Sequence, residues 1–297
     1  MDTAATRFPG VYAATTTPFR ADGAADLDAF AEHCSWLIGE GVTGLIPNGS
    51  LGEYEALSDA ERAELVRTAV AAAQGRAPVI PGVSGKSATE ARRWAEQAAE
   101  AGAPAVMALP PTSHKPTDDE VVAHFAEIAK AGLPIIAYNN PFSTRVDLTP
   151  ALLARLAEVE QVQAVKEFSQ DSRRVAQIKE QAPRLEVICG CDDTFVEAML
   201  LGATGWIAGL VNALPAQSVR LYELCLRGEY VTAAAEYIPM LPLLRWDADP
   251  RFVQAIKLAQ EEAGRYGGPV RLPRLPLSPG DADEVRAAAR AALKAGQ

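Results

Sequence analysis

Val162-Gln163-Ala164-Val165-Lys166-Glu167 is a strand-forming run that ends on a lysine, and Phe168-Ser169-Gln170-Asp171 turns the chain straight after it. Alternation along a strand puts Val162, Ala164 and Lys166 on one face and Gln163, Val165 and Glu167 on the other. In a barrel of parallel strands, one of those faces looks inward. A lysine there is unusual, because a buried ammonium costs far more to desolvate than one at the surface. The chain has 7 lysines against 21 arginines, so lysine is not a default filler. Desolvation favours the neutral amine, which is the form that attacks a carbonyl carbon. Lys166 is therefore the candidate Schiff-base nucleophile. The competing reading is a lysine that snorkels from a strand end to water.

The same signature recurs on either side. Upstream, Val11 to Thr15, Gly44 to Ile46, Pro78 to Gly82, Ala105 to Leu109 and Pro134 to Tyr138 are short apolar runs; downstream, Leu185 to Cys189 and Gly205 to Ala208 repeat it. Helical stretches separate them. Asp26 opens one to about Glu40, with Leu27, Phe30, Ala31, Cys34 and Leu37 at helical spacing. Ser58 with Glu61, Ser87 with Glu90 and Thr117 with Glu120 read as capping boxes, and Thr149-Pro150 as an N-cap with proline behind it. Asp171 or Ser172 starts a helix to about Gln181, and Asp192 one to about Leu201. Eight strands alternating with helices, at intervals of roughly 20 to 35 residues, predict an α/β fold, the (β/α)8 TIM barrel. After Pro215 the pattern is helical only, over about 216–227, 229–244 and 250–264, then a loop to Pro279 and a last alanine-rich helix. The expectation is a barrel over residues 1–228 and a C-terminal helical domain over 229–297.

Composition narrows the function. At 297 residues, 48% hydrophobic and 22% charged, the chain is long enough to bury a large core. A net charge of −10 argues against nucleic-acid and membrane-surface partners, which need concentrated positive charge. No apolar run approaches the roughly 18 residues that span a bilayer. Acidic Asp2, with no basic segment and apolar block, does not read as a signal peptide. Cys34, Cys189, Cys191 and Cys225 read as reduced thiols, so a cytoplasmic protein is expected. Cys189-Gly190-Cys191 is too short for the usual zinc pair, and His33, His114 and His124 are scattered, so no metal is expected.

In such barrels the carboxyl ends of the strands carry the active site. After the second strand, Gly49-Ser50-Leu51-Gly52 has glycines that let backbone N–H groups turn toward one point, an anion nest to which Ser50 adds a hydroxyl. A plain βα turn would read the same way. The fifth strand ends Tyr138-Asn139-Asn140-Pro141. Its tyrosine either reaches for water or, facing a Schiff-base lysine, shuttles a proton. A nest for a carboxylate, a lysine for a carbonyl and a phenol for a proton suit a 2-oxo acid, whose iminium acts as an electron sink. Gly49, Leu51, Cys191 and Ile207 are further candidate substrate-binding residues.

The sequence resembles the dihydrodipicolinate synthase and N-acetylneuraminate lyase family of class I aldolases from about Phe8 to Leu277. The likeness rests on Thr17-Pro18-Phe19, Gly49-Ser50-Leu51-Gly52-Glu53, Tyr138-Asn139-Asn140-Pro141, Val165-Lys166-Glu167, Asp192-Asp193 and Arg271-Leu272-Pro273. It implies that Lys166 forms the imine with pyruvate or another 2-oxo acid and that Tyr138 is the acid/base. Ser50 and Leu51 would hold the carboxylate, largely through backbone N–H groups. It also implies no cofactor beyond the covalent imine, and a homo-oligomer, dimer or tetramer.

The departures bear on substrate. The synthase has two adjacent threonines where this chain has Ser50 and Leu51, and Leu51 cannot pass a proton. Its tyrosine pair after the fourth strand aligns with Thr112 and Ser113. The arginine that grips the second substrate's carboxylate aligns with Ser143, with Arg145 two positions on. These point to a pyruvate-type aldolase or a 2-oxo-3-deoxy acid dehydratase, a divergent member of the family. The alternatives are the synthase itself, condensing pyruvate with aspartate semialdehyde, and a non-catalytic 2-oxo acid binding or regulatory homologue. Retention of both Lys166 and Tyr138 speaks against the last.

Overall fold

Runs rich in valine, isoleucine and alanine fold as strands when both of their faces are covered, as in a parallel sheet flanked by helices. The computed structural model describes residues 8–295; Asp2, read above for a leader, lies outside them. The strands are β1 (Gly10–Ala14), β2 (Gly44–Ile46), β3 (Val106–Ala108), β4 (Ile135–Asn139), β5 (Val162–Glu167), β6 (Glu186–Cys189) and β7 (Gly205–Ala208). Every residue in them is buried except the half-buried Gln163 and Glu186. With the helices between them they make the (β/α)8 TIM barrel that the spacing predicts, followed by C-terminal helices.

The chain forms two compact units, Ile80–Trp206 with Phe8 and Pro9, and Gly10–Val79 with Ile207 onward. In the first, β3, β4, β5, β6 and β7 pair in that order, all parallel. The register puts Tyr138 beside Lys166 and Asn139 beside Glu167, and Lys166 in turn beside Ile188. It shifts once, between Ile135 and Ile136, where Gln163 is passed over. Trp206 stacks on Phe195 with ring centroids 4.0 Å apart, and its indole N–H donates to buried Asp192 at 3.0 Å. That bond gives the Asp192-Asp193 motif a structural task.

In the second unit, β1 pairs with β2 in parallel, Tyr12 beside Gly44. Helices Leu27–Gly39 and Asp59–Ala73 follow them, the second opened by the full Ser58–Glu61 capping box. Helices Pro215–Leu226, Tyr230–Tyr237, Phe252–Glu262 and Pro279–Lys294 complete it.

Three local expectations are corrected. Pro78–Gly82 is not a regular strand. It contributes single bridges, Leu45 to Val79 and Gly82 to Met107, because Pro78 and Pro81 have no N–H and serve only as acceptors, from Leu45 at 3.0 Å and from Met107 at 2.9 Å. The Ser87 cap is one-sided. Its hydroxyl accepts from Glu90 N–H, but the Glu90 carboxylate turns to the N–H of Lys86. The helix expected over 229–244 stops at Tyr237, since Pro239 and Pro242 permit only short turns beyond it.

Candidate active site

Because β4 and β5 run parallel in register, Tyr138 and Lys166 project from the same face of adjacent strands. Lys166 is 5% exposed and Tyr138 equally buried. The Lys166 ammonium lies 4.3 Å from the centroid of the Tyr138 ring and 5.9 Å from that of Phe168. The two rings meet edge to face at 6.4 Å. Asn140 Nδ2 donates to the Tyr138 hydroxyl oxygen at 3.0 Å, a bond that uses an oxygen lone pair and not the phenol's proton. Asn140 Oδ1 meanwhile accepts from Ser143 N–H at 3.1 Å, capping the turn Pro141–Thr144.

The reverse face is polar and tightly bonded. Asn139 Nδ2 donates to both Glu167 oxygens, at 3.2 and 3.0 Å, and to Asp147 at 3.3 Å. Ser169 N–H adds a 2.6 Å bond to Glu167, and Arg174 pairs with Asp147 at 2.5 Å. Burial pushes the Glu167 carboxyl above its ordinary range, with the Ser169 and Asn139 bonds opposing.

Gly190 backs the lysine stem. A Cβ there would fall 2.8 Å from the Glu167 carbonyl oxygen and 3.0 Å from Lys166 Cγ and Cε. Only a residue without a side chain leaves Lys166 where it is. Neither Asn140 nor Gly190 was singled out from sequence. Asn140 lies inside the tyrosine motif, but its side-chain direction is set by the turn, and Gly190 was read only as a spacer between cysteines.

The remaining candidates of this unit are Ser143, Arg145 and Cys191. Ser143 and Arg145 are exposed on and just after the Pro141–Thr144 turn. Arg145 is in the left-handed region (φ 60°), and among the described residues its guanidinium makes no hydrogen bond or ion pair. Cys191 is buried, and its carbonyl accepts from Cys189 Sγ at 3.2 Å. Burial pushes the Cys189 thiol well above its ordinary range.

In the other unit, Ile207 is buried within β7, and the chain after β2 turns through Gly49, Ser50, Leu51 and Gly52. Leu51 is 4% exposed. Gly52 is pressed against the Thr15 carbonyl and the Asn48 N–H, where a Cβ would come within 3.2 and 3.3 Å. Among the described residues the N–H groups of Ser50 and Leu51 donate no backbone hydrogen bond. Two adjacent unpaired N–H groups in a largely buried turn are what an anion nest requires.

Among the described residues no group of three or more His, Cys, Asp and Glu side chains converges as a metal site needs, and no helix is long and apolar enough to cross a membrane.

The model of the dihydrodipicolinate synthetase family matches residues 7–292. The chain belongs to this family. It is 35% identical over 283 residues to a 4-hydroxy-tetrahydrodipicolinate synthase of Nitrobacter hamburgensis, with 95% of each chain covered. It is 36% identical to one of an Exiguobacterium species, over 91% of this chain and 93% of that one. Among solved structures, the synthase of Methylacidiphilum fumariolicum superposes with a TM-score of 0.93 at 26% identity over 97% of both chains. A prophage protein of the family from E. coli K12, solved in complex with pyruvate, gives 0.90 at 29% identity, covering 96% of this chain and 98% of that one. Like its family, the chain is a lyase.

Proposed function

We propose that this lyase forms a Schiff base between Lys166 and a 2-oxo acid. The observation that carries the reading is the pairing of a buried lysine with a buried tyrosine, 4.3 Å from ammonium to ring, on one face of adjacent strands. The amine of Lys166 attacks the 2-oxo carbon and water leaves, giving an iminium. The iminium draws electrons from the neighbouring carbon, which then loses a proton or breaks its bond to the next carbon; in a dehydration, the enamine left by proton loss expels the hydroxyl of the next carbon, which leaves as water once protonated. Tyr138 Oη, oriented by Asn140, takes and returns that proton. By its motif and its two unpaired N–H groups, the Ser50-Leu51 turn is assigned the carboxylate. Gly49, Cys191 and Ile207 are assigned to the substrate's surroundings as strand-end residues.

Within this chemistry the substrate is a pyruvate-type aldol or a 2-oxo-3-deoxy acid. Leu51 has no hydroxyl to relay a proton, Ser143 is a neutral group at the position of the carboxylate-gripping arginine, and Thr112 and Ser113 are exposed and non-aromatic. A charge-assisted hydrogen bond is roughly twice as strong as a neutral one, so Ser143 is a poor hold for the carboxylate of aspartate semialdehyde. A second reading, 4-hydroxy-tetrahydrodipicolinate synthase, is favoured by the names of the relatives and by the uncommitted guanidinium of Arg145. Incubation with pyruvate, borohydride reduction and peptide mapping test the chemistry; an adduct elsewhere than Lys166, or none with a panel of 2-oxo acids, overturns it. A coupled assay then sets aspartate semialdehyde with pyruvate beside 2-oxo-3-deoxy sugar acids and 4-hydroxy-2-oxo acids. Efficient use of the semialdehyde alone selects the second reading.

A further inference from the structure

Three motifs are left largely unexplained by this chemistry: Thr17-Pro18-Phe19, the Glu53 that ends the Gly49 turn, and Arg271-Leu272-Pro273. They meet in one cluster. Thr17 Oγ1 donates to the Gly52 carbonyl at 2.8 Å. Glu53, the next residue, is held in the left-handed region (φ 54°). Its carboxylate accepts from Lys257 Nζ at 2.7 Å and from Arg271 N–H at 3.1 Å, and the Glu53 and Lys257 side chains are 1% and 3% exposed. Lys257, on helix Phe252–Glu262, also donates to the Pro269 carbonyl at 2.7 Å. Phe19, fully buried, has the Lys257 ammonium 4.6 Å and the Arg271 guanidinium 4.2 Å from its centroid. Arg271 is itself fixed by Glu61 and by the carbonyls of Gly23 and Ala56.

A buried ion pair is weak evidence for stability, since apolar residues of the same volume often serve as well. What the charges supply here is placement. Glu53 holds a backbone conformation that a non-glycine residue keeps only when its surroundings over-determine it. Three bonds from three distant segments converge on Gly52 and Glu53, at the carboxyl end of the turn whose N–H groups are unpaired. We propose that Glu53, Lys257 and Thr17 are positioning residues that clamp this turn, so that the Ser50 and Leu51 N–H groups stay aimed at the 2-oxo acid's carboxylate. The proposal rests on the carboxylate role assigned above to that turn.

The test is imine trapping at graded concentrations of pyruvate and of methyl pyruvate, whose ester carries no charge. The wild type should half-saturate at a lower concentration with pyruvate. Equal values for the two compounds would refute the role of the turn itself, and with it the clamp. In Lys257→Met and Glu53→Gln, half-saturation by pyruvate should rise by about tenfold or more, the factor attached to a hydrogen bond with a charged partner. The value for the ester and the maximal trapping rate should stay near wild type. Thr17→Val keeps shape and burial while deleting only the bond to Gly52, so it decides alone if the ion-pair variants do not fold. It should shift in the same direction by less. Folded variants that keep the wild-type pyruvate value, or that weaken both compounds equally, overturn the proposal.

Discussion

Replacing Gly190 by alanine tests the lysine's placement without touching a reactive atom. The new Cβ would lie 2.8 Å from the Glu167 carbonyl oxygen, the same oxygen that accepts from Gly190 N–H at 2.8 Å. That oxygen belongs to a paired strand and cannot retreat. Lys166 Cγ and Cε, at 3.0 Å, belong to a side chain that can. Ordinary carbon–carbon contact is about 3.5–4.0 Å, so the stem must give way by about 0.5–1 Å. A displacement of that size at a reacting group costs up to about a hundredfold in rate. Overpacking a core costs about 1–3 kcal/mol, and each kcal/mol lowers the Tm of a chain this large by roughly 2–4 °C. The expected result is a folded protein with a Tm lower by several degrees and imine formation slowed by about ten- to a hundredfold. Borohydride trapping over time, read by intact mass, measures the rate, and Gly280→Ala is the control, because a Cβ there meets nothing within 4 Å. A folded Gly190→Ala protein that forms the imine at the wild-type rate would refute the reasoning.

Tyr138→Phe should keep the fold and lose about 10²–10⁴-fold in turnover, the usual contribution of a general acid/base; unchanged turnover moves proton transfer elsewhere. Asn140→Ala should lower turnover in the same direction but by less, and should alter its pH profile, since it removes the 3.0 Å bond to the phenol oxygen. Acid stability should fall in two windows. Burial pushes His33 down from 6.5 to about 4, so the unfolded chain binds a proton that the folded one refuses, and stability drops as pH falls from 6.5 toward 4. The Arg271 guanidinium holds Glu61 down from 4.5 to about 2; stability present above pH 4.5 is lost as pH falls toward 2, and Glu61→Gln should flatten that limb of a Tm-against-pH curve. Arg145→Ala should leave pyruvate imine formation intact; if the guanidinium holds a second carboxylate, it should raise KM only for substrates that carry one.

What was legible from sequence was what local pattern controls. Apolar runs marked the strands, and Ser58 and Thr117 marked their helices through reciprocal caps. Tyr138 and Lys166 were recognisable as strand-end residues, and their meeting followed once the two strands proved to be neighbours in register. The failures have one cause. Pro81 reads as part of an apolar run until its missing N–H has to serve a ladder, and Pro239 and Pro242 read as interruptions that an amphipathic pattern could absorb. Gly190 is a spacer until Lys166 arrives from 24 residues away. Glu53 and Lys257 are 204 residues apart, and no local spacing announces their pairing.

The two faces of β4 and β5 divide the work between them. One carries Tyr138 and Lys166, the pair proposed for the imine; the other carries Asn139 and Glu167, which hydrogen-bond across the same two strands. Side chains alternate, so a slip of one residue would send the lysine to the reverse face and bring Glu167 forward. Apolar packing alone resists such a slip weakly here, because Ala137, Ala164 and Val165 are small and nearly interchangeable. The amide of Asn139 is not interchangeable: it spans Glu167 and Asp147, and Arg174 fixes Asp147 from outside. A one-residue shift would leave buried Glu167 without these donors, and an unpaired buried polar group costs about 1–3 kcal/mol, more when charged. The placement of the lysine opposite the tyrosine therefore follows from strand register, and the polar bonds on the far side of the strands hold that register.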